Sequence, residues 1–285
     1  MIVTSKQFFM EKRLVSKLDL MVERLKGTDD AIQLIAGDEG IGKSNLTAGI
    51  CFYIAEKSNR EYNVDNIFFD LDKLIDFATK TERQVIHWDE GALGGLATEW
   101  WSKNQQKFMR LLMVARKKKH FIAICIPKFY KLNEYIVVER SIGLIHCYAR
   151  QNIHKGRFFY FTKKKKELLF EDWKRRRQRS YKKYASFGGS FLEYMPKVFT
   201  PEQVQQYEDK KDKAILNIGN YGKKQETKEE LDLAKERYLL NQHTKESNAK
   251  FTQGELAEIL QVSRWSVNKW GELPSKYPFL KEIKE

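Results

Sequence analysis

Cysteine and proline are scarce in this chain, three and five residues among 285. Cys51, Cys125 and Cys147 are odd in number, far apart and set in apolar surroundings. That excludes a disulfide framework and reads as buried thiols in a reducing compartment. The five histidines do not fall at metal-ligand spacing with cysteine or carboxylates, so no zinc site is expected. Long apolar runs are missing as well. His120–Pro127 (HFIAICIP) is among the longest and reads as a buried strand, far short of the roughly 18 residues a membrane span needs. The N-terminal segment turns charged before any long apolar core, so a secretory signal is not expected. These features predict a soluble cytoplasmic protein with no stable membrane insertion.

What the chain has in excess is positive charge, a formal net of +14. The excess is local. Residues 1–110 carry 15 basic and 17 acidic side chains, residues 111–183 carry 21 and 5, and residues 184–285 carry 16 of each. A field concentrated in one 73-residue stretch points to a polyanionic partner, nucleic acid before membrane. A polybasic segment can also bind anionic lipid, but neither an amphipathic anchor nor a lipidation motif accompanies this one.

Apolar periodicity predicts an amphipathic helix over Glu11–Lys26 and a short strand over Ala31–Ala36, followed by a glycine-rich turn and a helix over Lys43–Glu56. Further strands are expected at Asn66–Phe69, Gln84–Trp88, Phe121–Ile126 and Ile142–Tyr148. Helices are expected at Leu71–Thr79 and from about Trp100 to Lys118. Alternating strands and helices indicate a parallel sheet covered on both faces. Arg157–Thr162 and Glu167–Phe170 around Lys163–Lys166 read as a β-hairpin with a lysine turn, and residues 187–191 as an irregular lid or arm. The aromatics of Arg157–Phe161 are expected to alternate into the core.

Gly37-Asp38-Glu39-Gly40-Ile41-Gly42-Lys43-Ser44 fits G-x-x-x-x-G-K-[ST] between a strand and a helix, the setting a phosphate-binding loop requires. Gly37, Gly40 and Gly42 permit a tight backbone turn with N–H groups pointing inward. Lys43 is then expected to reach the β- and γ-phosphates of ATP, and Ser44 to ligate Mg²⁺. The helix N-terminus, with Asn45 in its first turn, adds its dipole. Gln84–Glu90 (QVIHWDE) supplies the second half: Asp89 for the magnesium shell and Glu90 as general base for the attacking water.

The additional-strand class of P-loop ATPases has a strand between the phosphate-loop strand and the acidic strand, and Asn66–Phe69 is assigned to that slot. A polar sensor is not evident, because Phe121–Pro127 ends in Ile126-Pro127; Asn133 and Lys128 are the substitutes considered. Arg110, Arg116, Arg140 and Arg150 are candidates for an arginine donated to a neighbouring subunit, which would require an oligomer. The segments GDEGIGKSNL, IHWDEG and RLLMVARKKKHFIAICIPKFYKLNEYIVVERS resemble the FtsK–HerA-like P-loop ATPases, nearest the zonula occludens toxin-like ATPases of phages and mobile elements. The resemblance spans roughly residues 25–170. It implies a RecA-like α/β fold, an ATP site of Lys43, Ser44, Asp89 and Glu90, and a ring-forming DNA pump, in host-cell cytoplasm if viral.

Three basic clusters, Arg116–Lys119, Lys163–Lys166 and Lys174–Arg179, are expected to contact phosphates of DNA or RNA, double-stranded DNA first. The contacts fall on Lys163, Lys164, Lys165, Lys166, Arg175, Arg176 and Arg177. Thr252–Trp270 (TQGELAEILQVSRWSVNKW) reads as a small all-α helix-turn-helix, with Thr252 and Ser263 as caps and Gln261 where many such motifs have glycine. Arg264, Asn268 and Lys269 have the chemistry for base edges and phosphates. The expected organisation is an ATPase domain over 1–200, a charged helical connector over 201–250 and the helix-turn-helix over 251–285. The expected activity is Mg²⁺-dependent ATP hydrolysis coupled to DNA movement in a homo-oligomer. An ATP-switched DNA-binding regulator and a replication or partition adaptor are the alternatives.

Overall fold

The computed structural model describes residues 5–6, 8–89, 97–150, 154–218, 228–246, 249–276 and 280. Helices and strands alternate as the periodicity requires. Helix α1 (Lys12–Lys26) is capped by Glu11, whose carboxylate accepts from the Leu14 N–H, and buries Leu14, Leu18, Met21 and Leu25 on one stripe. Then come β1 (Ala31–Ala36), α2 (Lys43–Ser58), β2 (Ile67–Phe68), α3 (Leu71–Lys80), β3 (Val85–Asp89), α4 (Ala97–Lys118) and β4 (Phe121–Ile126). After β5 (Gly143–Arg150) and β6 (His154–Thr162) follow α5 (Lys163–Arg176), α6 (Tyr181–Tyr184), β7 (Phe187–Ser190), α7 (Met195–Val198) and α8 (Pro201–Ile218).

The seven strands form one sheet in the order β2-β3-β4-β1-β5-β6-β7. The first five in that order are parallel, and β6 and β7 are antiparallel additions at one edge. The parallel strands are buried on both faces, which is why AIQLIA and FIAICI are nearly continuous apolar runs. Alternate residues feed two cores. Ile35, Cys125 and Ile145 pack with α1, α2 and residues 191–207 on one face. Leu34, Ile124 and Leu144 pack with α3, α4 and α5 on the other. This is an α/β fold with a mostly parallel sheet and helices on both sides. Among the described residues no helix is long and apolar enough to cross a membrane.

Two expectations are corrected. Asn66–Phe69 does not lie between the strand of the glycine loop and the acidic strand: only Ile67–Phe68 pairs, at the sheet edge beside β3. The intervening strand is β4, because a parallel crossover lets a strand late in sequence insert between earlier ones. The lysine turn is also absent. The hairpin is β5–β6, and Lys163–Arg176 is helical. Lys166, Leu169 and Phe170 are buried at intervals of three and four residues, a helical period rather than the period of two that a strand needs. Within β6, Phe158 and Tyr160 turn to one core and Phe161 to the other, as expected for a two-faced strand.

The chain divides into two compact units, Met1–Gly219 and Asn220–Glu285, so the polar 201–250 segment is shared between them. In the second unit α9 (Lys228–His243), α10 (Gln253–Ile259), α11 (Arg264–Trp270) and α12 (Leu273–Lys276) are the helices described. Thr252 and Glu255 form a reciprocal capping box on α10, and Ser263 caps α11. Leu256, Ala257, Val267 and Trp270 make a small shared core. Gln261 has φ 52°, the left-handed conformation that explains the frequency of glycine at such a turn.

Candidate functional site

The Gly37–Ser44 loop joins the end of β1 to the start of α2, and its geometry follows from three glycines with φ of 144°, 70° and 93° at 37, 40 and 42. At Gly37 the constraint is contact as well as torsion, since an added Cβ would lie 2.4 Å from the Cys147 carbonyl oxygen and from Ile41 Cδ1. Ile41 is buried under the loop, while Asp38, Glu39 and Gly40 form its exposed rim. Gly42 caps α2 without a side chain. The unpaired N–H groups of a helix's first turn and the positive end of its dipole make such a position suited to an anion.

Lys43 is only 6% exposed, and its Nζ donates to the Gly37 carbonyl at 2.8 Å and the Asp38 carbonyl at 2.7 Å. The ammonium is thus held inside the curve of the loop by acceptors that a phosphate oxygen can replace. Asp89, 1% exposed at the end of β3, accepts from the Tyr207 hydroxyl at 2.8 Å. Ser44 is near enough to interact with the same hydroxyl. Burial and the neighbouring Asp89 carboxylate raise the Tyr207 phenol far above its ordinary value, so it stays a protonated donor.

Behind the loop lies a buried polar chain whose proton order can be read from its ends. Thr47 Oγ1 donates to the Lys43 carbonyl at 2.8 Å, which leaves it to accept from the Cys125 thiol at 3.0 Å. Cys125 Sγ lies 3.6 Å from His87 Nε2, and the Tyr62 hydroxyl lies 3.0 Å from His87 Nδ1. The consistent assignment has Tyr62 donating to Nδ1 and Nε2 donating to sulfur. Burial lowers His87 to about 4, so the ring is neutral at neutral pH, and burial pushes the Cys125 thiol up. The chain fixes the first turn of α2 against β3 and β4.

The ligand atoms of His87, Asp89 and Cys125 lie within 4.8 Å of one another. Sequence spacing misses this grouping because the residues come from two strands, and its nitrogen and sulfur donors suit a softer ion than magnesium. Mg²⁺ prefers oxygen ligands, and Ser44 and Asp89 offer a hydroxyl and a carboxylate oxygen. The donor set therefore fits magnesium at Ser44 and Asp89.

Of the predicted arm, Phe187–Ser190 is the regular strand β7 and Phe191 reaches the site; the rest of the site is built by residues after it. A cleft of about 860 Å³ is walled by the loop on one side and by Phe191, Leu192, Met195, Pro196, Val204 and Tyr207 on the other. Asn45 holds that wall in place. Its Nδ2 donates to the Leu192 carbonyl at 2.8 Å, and its Oδ1 accepts from the Tyr194 and Met195 N–H groups at 2.7 and 2.9 Å. Asn45, expected to face nucleotide, spends its amide on the arm instead. Tyr207, Thr47 and this role of Asn45 carry no motif; only the aromatic content of the arm hints at burial. His146 carries none either. It pairs with Ala36 beside the loop, stacks on Tyr181 at 3.5 Å, and is lowered to about 4 by burial and then by Lys43 and Arg179.

Other candidates scatter. Glu90 lies outside the described residues. Arg140 is removed from the arginine-finger set: its Nη2 donates to buried Asp30 at 2.6 Å and to the Leu112 carbonyl at 3.1 Å, closing the end of the sheet opposite the loop. Exposed Arg116 precedes β4 at that same opposite end. Arg150 ends β5 on the loop side, and its side chain lies outside the described residues. Asn133 caps its own turn through the Tyr135 N–H, whereas Lys128 is exposed just beyond β4.

Lys166 is corrected as a DNA contact. It is fully buried and donates to the Ser141 carbonyl at 2.6 Å and hydroxyl at 2.5 Å. Burial, then repulsion from Lys163, lowers it to about 7. Lys163, Lys164, Lys165, Arg175, Arg176 and Arg177 remain exposed on α5 and its C-terminal residue. In the second unit Arg264, Asn268 and Lys269 are exposed on α11, with Lys269 bonded to Glu272 at 2.7 Å. Compared with known families and with characterised proteins, the chain matches no family model and no relative.

Proposed function

We propose that the chain is a P-loop ATPase of RecA-like fold that hydrolyses ATP with Mg²⁺ and works on double-stranded DNA as a homo-oligomer, a translocase or packaging-type motor of a virus or mobile element. The observation that carries the reading is Lys43 held by two carbonyls inside a three-glycine loop at the start of α2, with the Asp89 carboxylate on the second strand over. In this reading the loop N–H groups and Lys43 bind the phosphates, and Lys43 exchanges its carbonyl partners for phosphate oxygens. Ser44 and Asp89 hold the cation, which when bound offsets charge on the β- and γ-phosphates. Glu90 takes the proton from the attacking water. Exposed lysines and arginines of α5 attract the DNA backbone. The α10–α11 pair acts as a helix-turn-helix presenting Arg264 and Asn268 to base edges.

Glu90→Gln is the test. ATP hydrolysis should fall by about 10²–10⁴-fold with nucleotide binding retained, and unchanged turnover would remove Glu90 from its role. The exposed polar face of α11 also favours the ATP-switched regulator as a second reading. Fast DNA-stimulated turnover with displacement of a triplex-forming strand supports the motor, and slow DNA-independent turnover supports the switch.

A further inference from the structure

We propose that Tyr207 is a gate on the metal position: its hydroxyl occupies the point between Ser44 and Asp89 where a divalent cation must sit, so that binding of metal with nucleotide displaces it and shifts α8. The inference rests on reading Ser44 and Asp89 as the metal ligands. Its own support is geometric. The Tyr207 hydroxyl donates to Asp89 Oδ2 at 2.8 Å and lies near enough to Ser44 to interact with it, and both Ser44 and Tyr207 line the cleft. Magnesium bound to those two side chains would lie about 2 Å from each oxygen, filling the same gap. The phenol also directs its proton at Asp89, so its dipole opposes a cation there.

Tyr207 is 2% exposed, with its ring 5.7 Å from Phe69, so it does not reach the site by chance of surface mobility. Its helix is held by bonds that can exchange. Lys210, one turn on, donates to the Val64 carbonyl at 2.9 Å and to Asp65 at 3.1 Å. The Lys210 side chain is 38% exposed and its Asp65 partner 88% exposed, a contact that water and salt weaken readily. Upstream, Asn45 ties the same arm to α2 directly beside Ser44. The arm is thus anchored firmly at Asn45 and latched weakly at Lys210, with Tyr207 between the two. Release at Tyr207 therefore moves α8 while residues 192–195 stay on the loop helix.

The test uses the full chain and a fluorescent, non-hydrolysable ATP analogue titrated with Mg²⁺, with hydrogen exchange followed over residues 201–213. Tyr207→Phe keeps the ring and removes the hydroxyl. It should lower the Mg²⁺ concentration for half-maximal nucleotide binding about tenfold, the scale set by losing a hydrogen bond to a charged group. Lys210→Ala, which touches neither nucleotide nor metal ligands, should lower it by a smaller factor. In the wild type, Mg²⁺ with analogue should speed exchange in 201–213. An unchanged or higher Mg²⁺ requirement in Tyr207→Phe, or exchange in 201–213 that is slowed or unaltered, would overturn the gate while leaving nucleotide binding intact. Failure of the wild type to bind the analogue would overturn the nucleotide reading, and the gate with it.

Discussion

Two helices in the first unit, α2 and α5, bury a lysine in their first turn, yet the two starts do different things. At the start of α2, Lys43 is held by carbonyls of an open glycine loop facing a cleft. At the start of α5, Lys166 is held by the Ser141 carbonyl and hydroxyl, sealed at 0% exposure beneath a run of surface lysines. Both satisfy their ammonium groups, as burial demands. The difference is access: Lys43 can exchange its acceptors for a ligand without unfolding its helix, and Lys166 cannot. Lysine density in sequence therefore does not tell a ligand-accessible lysine from a sealed one; backbone geometry does.

Replacing each lysine breaks the comparison differently. Lys43→Ala should weaken nucleotide binding at least about 100-fold, through loss of a charge-assisted bond to phosphate, while thermal unfolding changes little. Calorimetry with ATP and Mg²⁺ measures the first and a melting curve the second. Lys166→Ala should do the reverse, costing about 1–3 kcal/mol of stability by removing the bond to the Ser141 carbonyl, while the Ser141 hydroxyl keeps the Val137 carbonyl as its acceptor. Its nucleotide affinity should match the wild type.

A pH series sharpens the same contrast. Lys166 is lowered to about 7 from an ordinary 10.5, so between those values the unfolded chain binds more protons than the folded one. Stability contributed by this residue must then rise with pH through that window. The wild type minus a Lys166→Met variant, measured by denaturant unfolding from pH 6.5 to 9, should show a positive slope above about 7. A flat difference would mean Lys166 is solvated. The smallest effect concerns the surface. Lys163, Lys164 and Lys165 changed together to Ala should weaken DNA binding and reduce its salt dependence by up to about 0.9 for each phosphate no longer neutralised. Basal ATPase activity should be unaltered.

Much of the sheet is legible in the sequence because parallel strands buried on both faces announce themselves as apolar runs, as in Ala31–Ala36 and Phe121–Ile126. The glycine loop is legible because its positive φ values at 37, 40 and 42 call for glycine at those positions. Strand order is not, since nothing local to Phe121–Ile126 says that it inserts between β1 and β3. The Lys163–Lys166 run reads as a turn because its composition outweighs the helical spacing of Lys166, Leu169 and Phe170. The contacts of Tyr207 and of residues 192–195 are invisible for a different reason. The bonds to Asn45 and Asp89 span well over 100 residues of sequence, where no periodicity reaches.

The direct test of the central claim is isothermal titration of ATP into the wild type, Lys43→Ala and Lys166→Ala proteins in Mg²⁺. One nucleotide should bind per wild-type chain, none detectably to Lys43→Ala, and one with wild-type affinity to Lys166→Ala. Equal binding by the wild type and Lys43→Ala, or no binding by the wild type, would contradict that claim.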